Sequence, residues 1–171
     1  QIIEMGFTAT AIPEEYGGLG LGYLELCVIA EELGRSLAPT PFSSSVYLAT
    51  EAILNYGDDS LKQAYLPGFA SGEKIGAFAH SESNTSPTEA NINCAYSDGS
   101  LTGTKIAVVD GDIANTFIVT ANNGSGVGLY LVDSSSEGVE ITEQSTLDPS
   151  RSHASIVFKN SKAIELKSDW S

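Results

Sequence analysis

Apolar and polar positions along the chain follow two rhythms, and the change falls near residue 72. Over residues 22–36, Leu26, Ile29, Ala30 and Leu33 recur at the i, i+3, i+4, i+7 spacing of one buried helical face, with Glu25, Glu31, Glu32 and Arg35 largely off it. Gly34 weakens the last turn, and Pro39 and Pro41 bar any continuation. A second helix is expected from Ser44 to Tyr56, carrying Val46, Leu48, Ala49, Ala52, Ile53 and Tyr56, with Gly57 suited to the C′ position past its end. A third is expected to start at Asp58 or Asp59 as N-cap and to stop at Pro67.

From Lys74 onward the helical spacing disappears. Short β-branched or aromatic runs occupy residues 75–80, 92–96, 101–109, 116–121, 128–132, 139–142 and 154–158, with Asp98-Gly99, Asp110-Gly111, Asn122-Asn123-Gly124 and Glu137-Gly138 between them. Closely spaced short strands with turn signals predict an antiparallel β-barrel or sandwich. The expected fold class is therefore α+β in two segments: a helical N-terminal domain over residues 1–72 and a β-barrel domain over residues 73–171. The polar stretch after Ile164 predicts no closing strand. The opening residues read as the last turn of a helix ending at Gly6; with no initiator Met, they suggest a fragment.

Composition narrows the function classes. The chain has 171 residues, with 22 Asp+Glu against 8 Lys+Arg and a formal charge of −14. Such a balance argues against a nucleic-acid partner, since neutralising phosphates needs clustered cations, and against an anionic membrane surface. No apolar run is long enough to span a bilayer, and the N-terminus lacks the basic and apolar regions of a signal peptide. Two cysteines far apart, Cys27 and Cys94, make no disulfide framework and point to a reducing, cytoplasmic setting.

Generic chemical motifs are missing. Gly17 to Gly22 has the composition of a dinucleotide loop but no preceding strand, and there is no Walker A, HExxH or GxSxG sequence. His80 and His153 are lone histidines, each read as a hydrogen-bonded structural residue, with no metal-ligand spacing around either. Glu14-Glu15 and Glu31-Glu32 are adjacent pairs that point apart on a helix, so they read as solvated acidic surface.

One set of motifs is more specific. Pro13-Glu14-Glu15-Tyr16-Gly17-Gly18-Leu19-Gly20 leads into a helix that closes on Glu31-Glu32-Leu33-Gly34. Tyr65-Leu66-Pro67 is followed by Ala70-Ser71-Gly72-Glu73, and then come Gly103-Thr104-Lys105, Leu129-Tyr130-Leu131-Val132-Asp133 and Glu137-Gly138-Val139. In this order they resemble the N-terminal helical and middle β domains of the acyl-CoA dehydrogenases. The segments around Ala79-His80-Ser81-Glu82 and Lys105-Ile106-Ala107-Val108-Val109, with Asp148-Pro149-Ser150-Arg151, resemble the small-subunit type of paired acyl-CoA dehydrogenases. Ala107 and Val109 stand where typical members carry a flavin-stacking Trp and a flavin-bonding Thr.

The resemblance implies α,β-dehydrogenation of an acyl-CoA thioester, with hydride transfer to FAD and onward electron transfer to an electron-transfer flavoprotein or similar acceptor. It implies a homo- or hetero-oligomer, and a catalytic base in a C-terminal helical domain absent from this chain. No catalytic residue is therefore nominated, Glu82 included, and the 171 residues alone are expected to be inactive. The family pattern carries flavin contact to Phe78, Ala79, His80, Ser81, Val108 and Val109, and thioester contact to Asn84 and Ser86; the helical segment 42–54 is expected either to line the acyl pocket or to be simple core. Lys105 is read as a solvent-facing cation. Two alternatives stay open: a non-catalytic scaffold subunit with a degenerate flavin site, and an acyl-CoA oxidase or flavin hydroxylase on the same architecture.

Overall fold

A computed structural model describes residues 1–85 and 87–166. After a hydrogen-bonded opening turn that ends at left-handed Gly6, the helical part comprises 3-10 turns at Phe7–Ala9 and Glu14–Tyr16, α1 (Tyr23–Arg35), a π-wound segment Ser43–Thr50 running directly into α2 (Glu51–Tyr56), and α3 (Asp59–Ala70). Eight strands follow: β1 (Gly76–Ala79), β2 (Ala95–Ser97), β3 (Ser100–Val109), β4 (Thr116–Asn122), β5 (Val127–Asp133), β6 (Val139–Gln144), β7 (His153–Lys162) and β8 (Ile164–Leu166). They form one sheet in the order β6-β7-β3-β2-β4-β5-β8, with β1 paired in parallel to β4. All other pairings are antiparallel except a single parallel contact, Ala95 to Asn122.

The helices form for the reasons their spacing gives, with three departures. Asp58 is the N-cap of α3, its carboxylate accepting from Leu61 N at 2.9 Å. The helix runs past the expected stop at Pro67 to Ala70. Pro67 leaves one acceptor unpaired, a cost of about 3 kcal/mol in a helix interior. Burying Leu66 and Phe69 offsets it, each side chain contributing about 1.5–3 kcal/mol, with a smaller share from the Ala70 methyl. Gly57 caps α2 in an extended conformation rather than a left-handed one. In α1 only Leu26 is fully buried; Ile29, Ala30 and Leu33 are half-covered, and Tyr23, Leu24 and Val28 face outward.

The loop before α1 shows why its glycines are needed. Gly17 is left-handed at φ 81°, and a Cβ on Gly18 would lie 1.8 Å from the carbonyl oxygen of Ile12. The chain folds back there so that Leu19, Gly20 and Leu21 donate to Ala9, Ile12 and Thr10.

The two parts share a core. Alternate residues of β4 serve opposite sides: Phe117, Val119 and Ala121 pack inside the β layer with Ala77, Leu101, Tyr130, Val132, Ile156 and Phe158, while Ile118 joins Leu129, Leu131 and Leu166 against Ile53, Leu66 and Phe69 of the helices. A strand covered on both faces reads as an unbroken apolar run, as 117–119 does. Leu166 is in that layer because β8 pairs with β5, which corrects the expectation of no closing strand; residues 167–171 of that tail lie outside the described residues. The seam is tight at Gly76, where a Cβ would meet Ala49 Cβ at 2.2 Å and the Phe69 ring at 3.0 Å, and where the main-chain N–H donates to Ser45 Oγ.

Gly76→Ala is therefore expected to lower stability by about 1–3 kcal/mol through overpacking at this seam, read as a shift of the urea midpoint. An unchanged midpoint contradicts a rigid seam.

Candidate functional site

The end of β1 is organised by a buried cation. Lys105 leaves β3 with its side chain fully buried, so the expectation of a solvent-facing lysine is wrong. Its ammonium donates to three acceptors: Glu82 Oε1 at 2.7 Å, the His80 carbonyl at 3.1 Å and Thr120 Oγ1 at 3.1 Å. Three donors with three acceptors make burial tolerable, since an unpaired buried charge costs several kcal/mol. Glu82 is in turn fixed by the main-chain N–H groups of Asn93 at 2.7 Å and Cys94 at 2.9 Å. Thr120 Oγ1 also lies 3.0 Å from His80 Nδ1, so Lys105, Thr120 and His80 form one chain of contacts.

The titrations follow from this packing. Burial raises the Glu82 carboxyl, but the hydrogen bonds from Lys105, Cys94 and Asn93 outweigh it and hold the group below its ordinary range. Burial, then the Lys105 ammonium, lowers His80, with Glu82 opposing weakly. Burial pushes the Cys94 thiol up to about 11. Glu82 is thus an ionised structural carboxylate with committed oxygens, which makes it unfit as a general base.

The six cofactor candidates lie on two neighbouring segments. Phe78, His80 and Ser81 are half-buried at the end of β1, while Ala79 is fully buried in the β core. Ser81 joins this end to β3, its carbonyl accepting from Ile106 N at 2.8 Å; its hydroxyl makes no hydrogen bond among the described residues. Between Lys105 and Val108, β3 bulges against β7, with Ala107 at φ 52° and its N–H donated to Gln144 Oε1 at 2.9 Å. The bulge turns Val108 into the β core and leaves Val109 half-exposed, so Ala79 and Val108 have only main chain to offer a ligand. Of the thioester candidates, Asn84 sits in an exposed bend and Ser86 lies outside the described residues. The rim offers a hydroxyl and an imidazole, and at position 107 it has an alanine where an aromatic could have stacked.

A second polar cluster fixes the neighbouring loop. Arg151 donates to both carboxylate oxygens of buried Asp110 and, at 3.1 Å, to Ser43 Oγ; Ser44 Oγ also donates to Asp110. Asp110, in the turn after β3, was legible only as a turn residue, and Thr120 only as a polar break in an apolar strand. Beside Arg151 a cavity of about 530 Å³ runs between the end of α1, residues 37–43 and the 148–151 loop, lined by Leu33, Phe42 and Tyr47 among others. In contrast, Val46, Ala49, Ala52 and Ile53 of the expected pocket segment are core.

A helical layer leading into, and packed on, a mostly antiparallel sheet defines the class: an α+β protein with a polar rim at the end of its parallel-paired strand. The chain belongs to the acyl-CoA dehydrogenase family. Residues 1–73 match the acyl-CoA dehydrogenase N-terminal domain. The chain is 34% identical over 148 residues to acyl-CoA dehydrogenase FadE27 of Mycobacterium tuberculosis, covering 85% of this chain and 39% of that protein. It is 38% identical over 129 residues to the mitochondrial 2-methylacyl-CoA dehydrogenase of Solanum tuberosum, covering 72% and 31%. Its fold superposes on the ChsE4-ChsE5 complex from Mycobacterium tuberculosis with TM-score 0.81 and 30% identity, over 96% of this chain and 46% of that one. The chain spans less than half the length of each. Among the described residues no helix is long and apolar enough to cross a membrane.

Two outcomes test the network. Lys105→Met leaves the half-buried Glu82 without its cation and should cost about 1–3 kcal/mol; Lys105→Met with Glu82→Gln should recover part of that loss in urea unfolding, and no recovery contradicts the pairing. The pH dependence has one sign for both depressed groups. The unfolded chain binds more protons between the folded and unfolded values, so stability is present above about 6.5 for His80 and about 4.3 for Glu82 and falls as pH drops through the folded values. Urea midpoints should therefore decline in two stages on acidification, and His80→Gln should remove the stage at higher pH.

Proposed function

We propose that this chain supplies the helical and β parts of a flavin-dependent acyl-CoA dehydrogenase of the small-subunit-like type, divided near residue 73 into the two domains expected from its sequence. One observation carries the reading: in a chain of this family, the hydroxyl of Ser81 and the imidazole of His80 stand half-exposed at the end of β1, held against the β3 bulge by the Ser81–Ile106 hydrogen bond. FAD, when bound, accepts the hydride lost from the β-carbon of the acyl group. The residues of this chain orient and bind. Ser81 and His80 offer hydrogen-bond donors, Phe78 an apolar edge, and Val109 a half-exposed surface on the second strand. Asn84 is on the thioester side, as is expected of Ser86, which lies outside the described residues. The cavity beside Phe42 and Tyr47 is an apolar recess suited to an acyl chain. On the family resemblance, the α-proton goes to a carboxylate of a C-terminal helical domain; Glu82 does not take it, being committed to Lys105. Without that carboxylate these residues alone do not turn over acyl-CoA. The working assembly is an oligomer in the cytoplasm that passes electrons to an electron-transfer flavoprotein or similar acceptor.

A scaffold role beside a flavin-bearing partner subunit is the second reading. Ala107 gives no stacking surface, its N–H is taken by Gln144, and Val108 turns inward.

The full-length protein is expected to take up FAD, become yellow and bleach on addition of a saturated acyl-CoA. Ser81→Ala should weaken FAD binding up to about tenfold, the worth of one hydrogen bond. Flavin retained only in the presence of a partner subunit selects the scaffold reading, and rapid reoxidation of the reduced flavin by dioxygen selects an oxidase or hydroxylase.

A further inference from the structure

We propose that Lys105 is a positioning residue that acts through Thr120 to fix the tautomer of His80, so that His80 presents a neutral Nε2–H donor at the end of β1. The argument is a count of donors and lone pairs. Thr120 is buried, and its hydroxyl has one proton and two acceptor positions. Lys105 can only donate, and it does so to Thr120 Oγ1 at 3.1 Å, so one acceptor position is used. The remaining contact of that oxygen is His80 Nδ1 at 3.0 Å. If Nδ1 carried a proton and donated it, the threonine proton would have no acceptor among the described hydrogen bonds, and a buried unmade donor costs about 1–3 kcal/mol. The arrangement that satisfies every group has Thr120 donating to Nδ1, which places the ring proton on Nε2.

The surroundings keep the ring neutral. The charged groups facing it are the Lys105 ammonium from β3 and the Glu82 carboxylate from the loop after β1, and burial together with the ammonium outweighs the carboxylate. The Lys105 contact with the His80 carbonyl fixes the same residue's main chain, so backbone and ring are held from one point. Nε2 has no hydrogen-bond partner among the described residues, and His80 is half-exposed beside the free Ser81 hydroxyl. Two neutral donors on consecutive residues suit an electron-rich acceptor edge. Resting on the flavin reading, that edge is the set of carbonyl oxygens and ring nitrogens of an isoalloxazine. A protonated or Nδ1–H histidine would present a charge or a lone pair there instead.

The test is ¹⁵N NMR of the full chain labelled at histidine ring nitrogens, at pH 7, before and after FAD; the signals lost in His80→Gln assign the ring. Before FAD, Nδ1 should resonate in the unprotonated range and Nε2 in the protonated range. Thr120→Ser should keep this separation, whereas Thr120→Val should shrink it as the tautomers mix. A protonated Nδ1 in the unsubstituted protein overturns the assignment, and needs no variant to fold. A separation unchanged in Thr120→Val overturns the relay. FAD should shift the Nε2 signal selectively. Uptake with no such shift overturns the donor role alone, whereas no uptake overturns the flavin reading and the donor role together, with the tautomer decided by the spectrum before FAD.

Discussion

The rim of this protein depends on one constraint: an ammonium placed entirely out of water must have all three of its protons accepted. Lys105 meets it with a carboxylate and a carbonyl from the segment just after β1 and a hydroxyl from β4. Each acceptor then inherits a requirement. Glu82 must stay ionised, and the N–H groups of Asn93 and Cys94 help hold it so. Thr120 must be polar although Ile118, Val119 and Ala121 beside it are buried apolar residues. The main chain at His80 must turn its carbonyl inward just after β1 ends. A network of this kind adds little net stability over an apolar replacement, but it permits few alternatives once formed, because a half-satisfied version is worse than none.

The second determinant is the double duty of β4. It carries β core on one side and the helical layer on the other, so the helices are seated on the sheet directly. Gly76 allows β1 to approach Ala49 and Phe69, and the Arg151–Asp110–Ser44 contacts tie the loop after β6 to the start of the π-wound segment. The rim and the cavity beside Phe42 therefore belong to one packed body, and a ligand that touched both would meet surfaces whose separation is fixed by packing.

Family membership and local chemistry complement each other here. Membership places the chain among its relatives; the residues show which groups it offers at its rim. Its rim offers the Ser81 hydroxyl and the His80 imidazole and has alanine at 107, and the carboxylate tied into that network, Glu82, is already ion-paired.

The α+β class, the placement of α1 and, among the described residues, seven of the eight strands were legible in the sequence. Each follows from local rules: 3.6-residue periodicity, short β-branched or aromatic runs, and the turn signals between them. The continuation of α3 through Pro67 and the pairing of β8 were not, because burial of Leu66, Phe69 and Leu166 against distant residues overrides the local signal. The same holds at the rim. The strand end 78–81 was visible as a motif, but the roles within it were set by partners 25 and 40 residues away in sequence. A lysine in a strand pattern reads as solvated, since the cost of burying its charge is known locally while the acceptors that offset it are not. Only the tertiary structure, by bringing His80, Glu82 and Thr120 to one point, decided that Lys105 belongs inside.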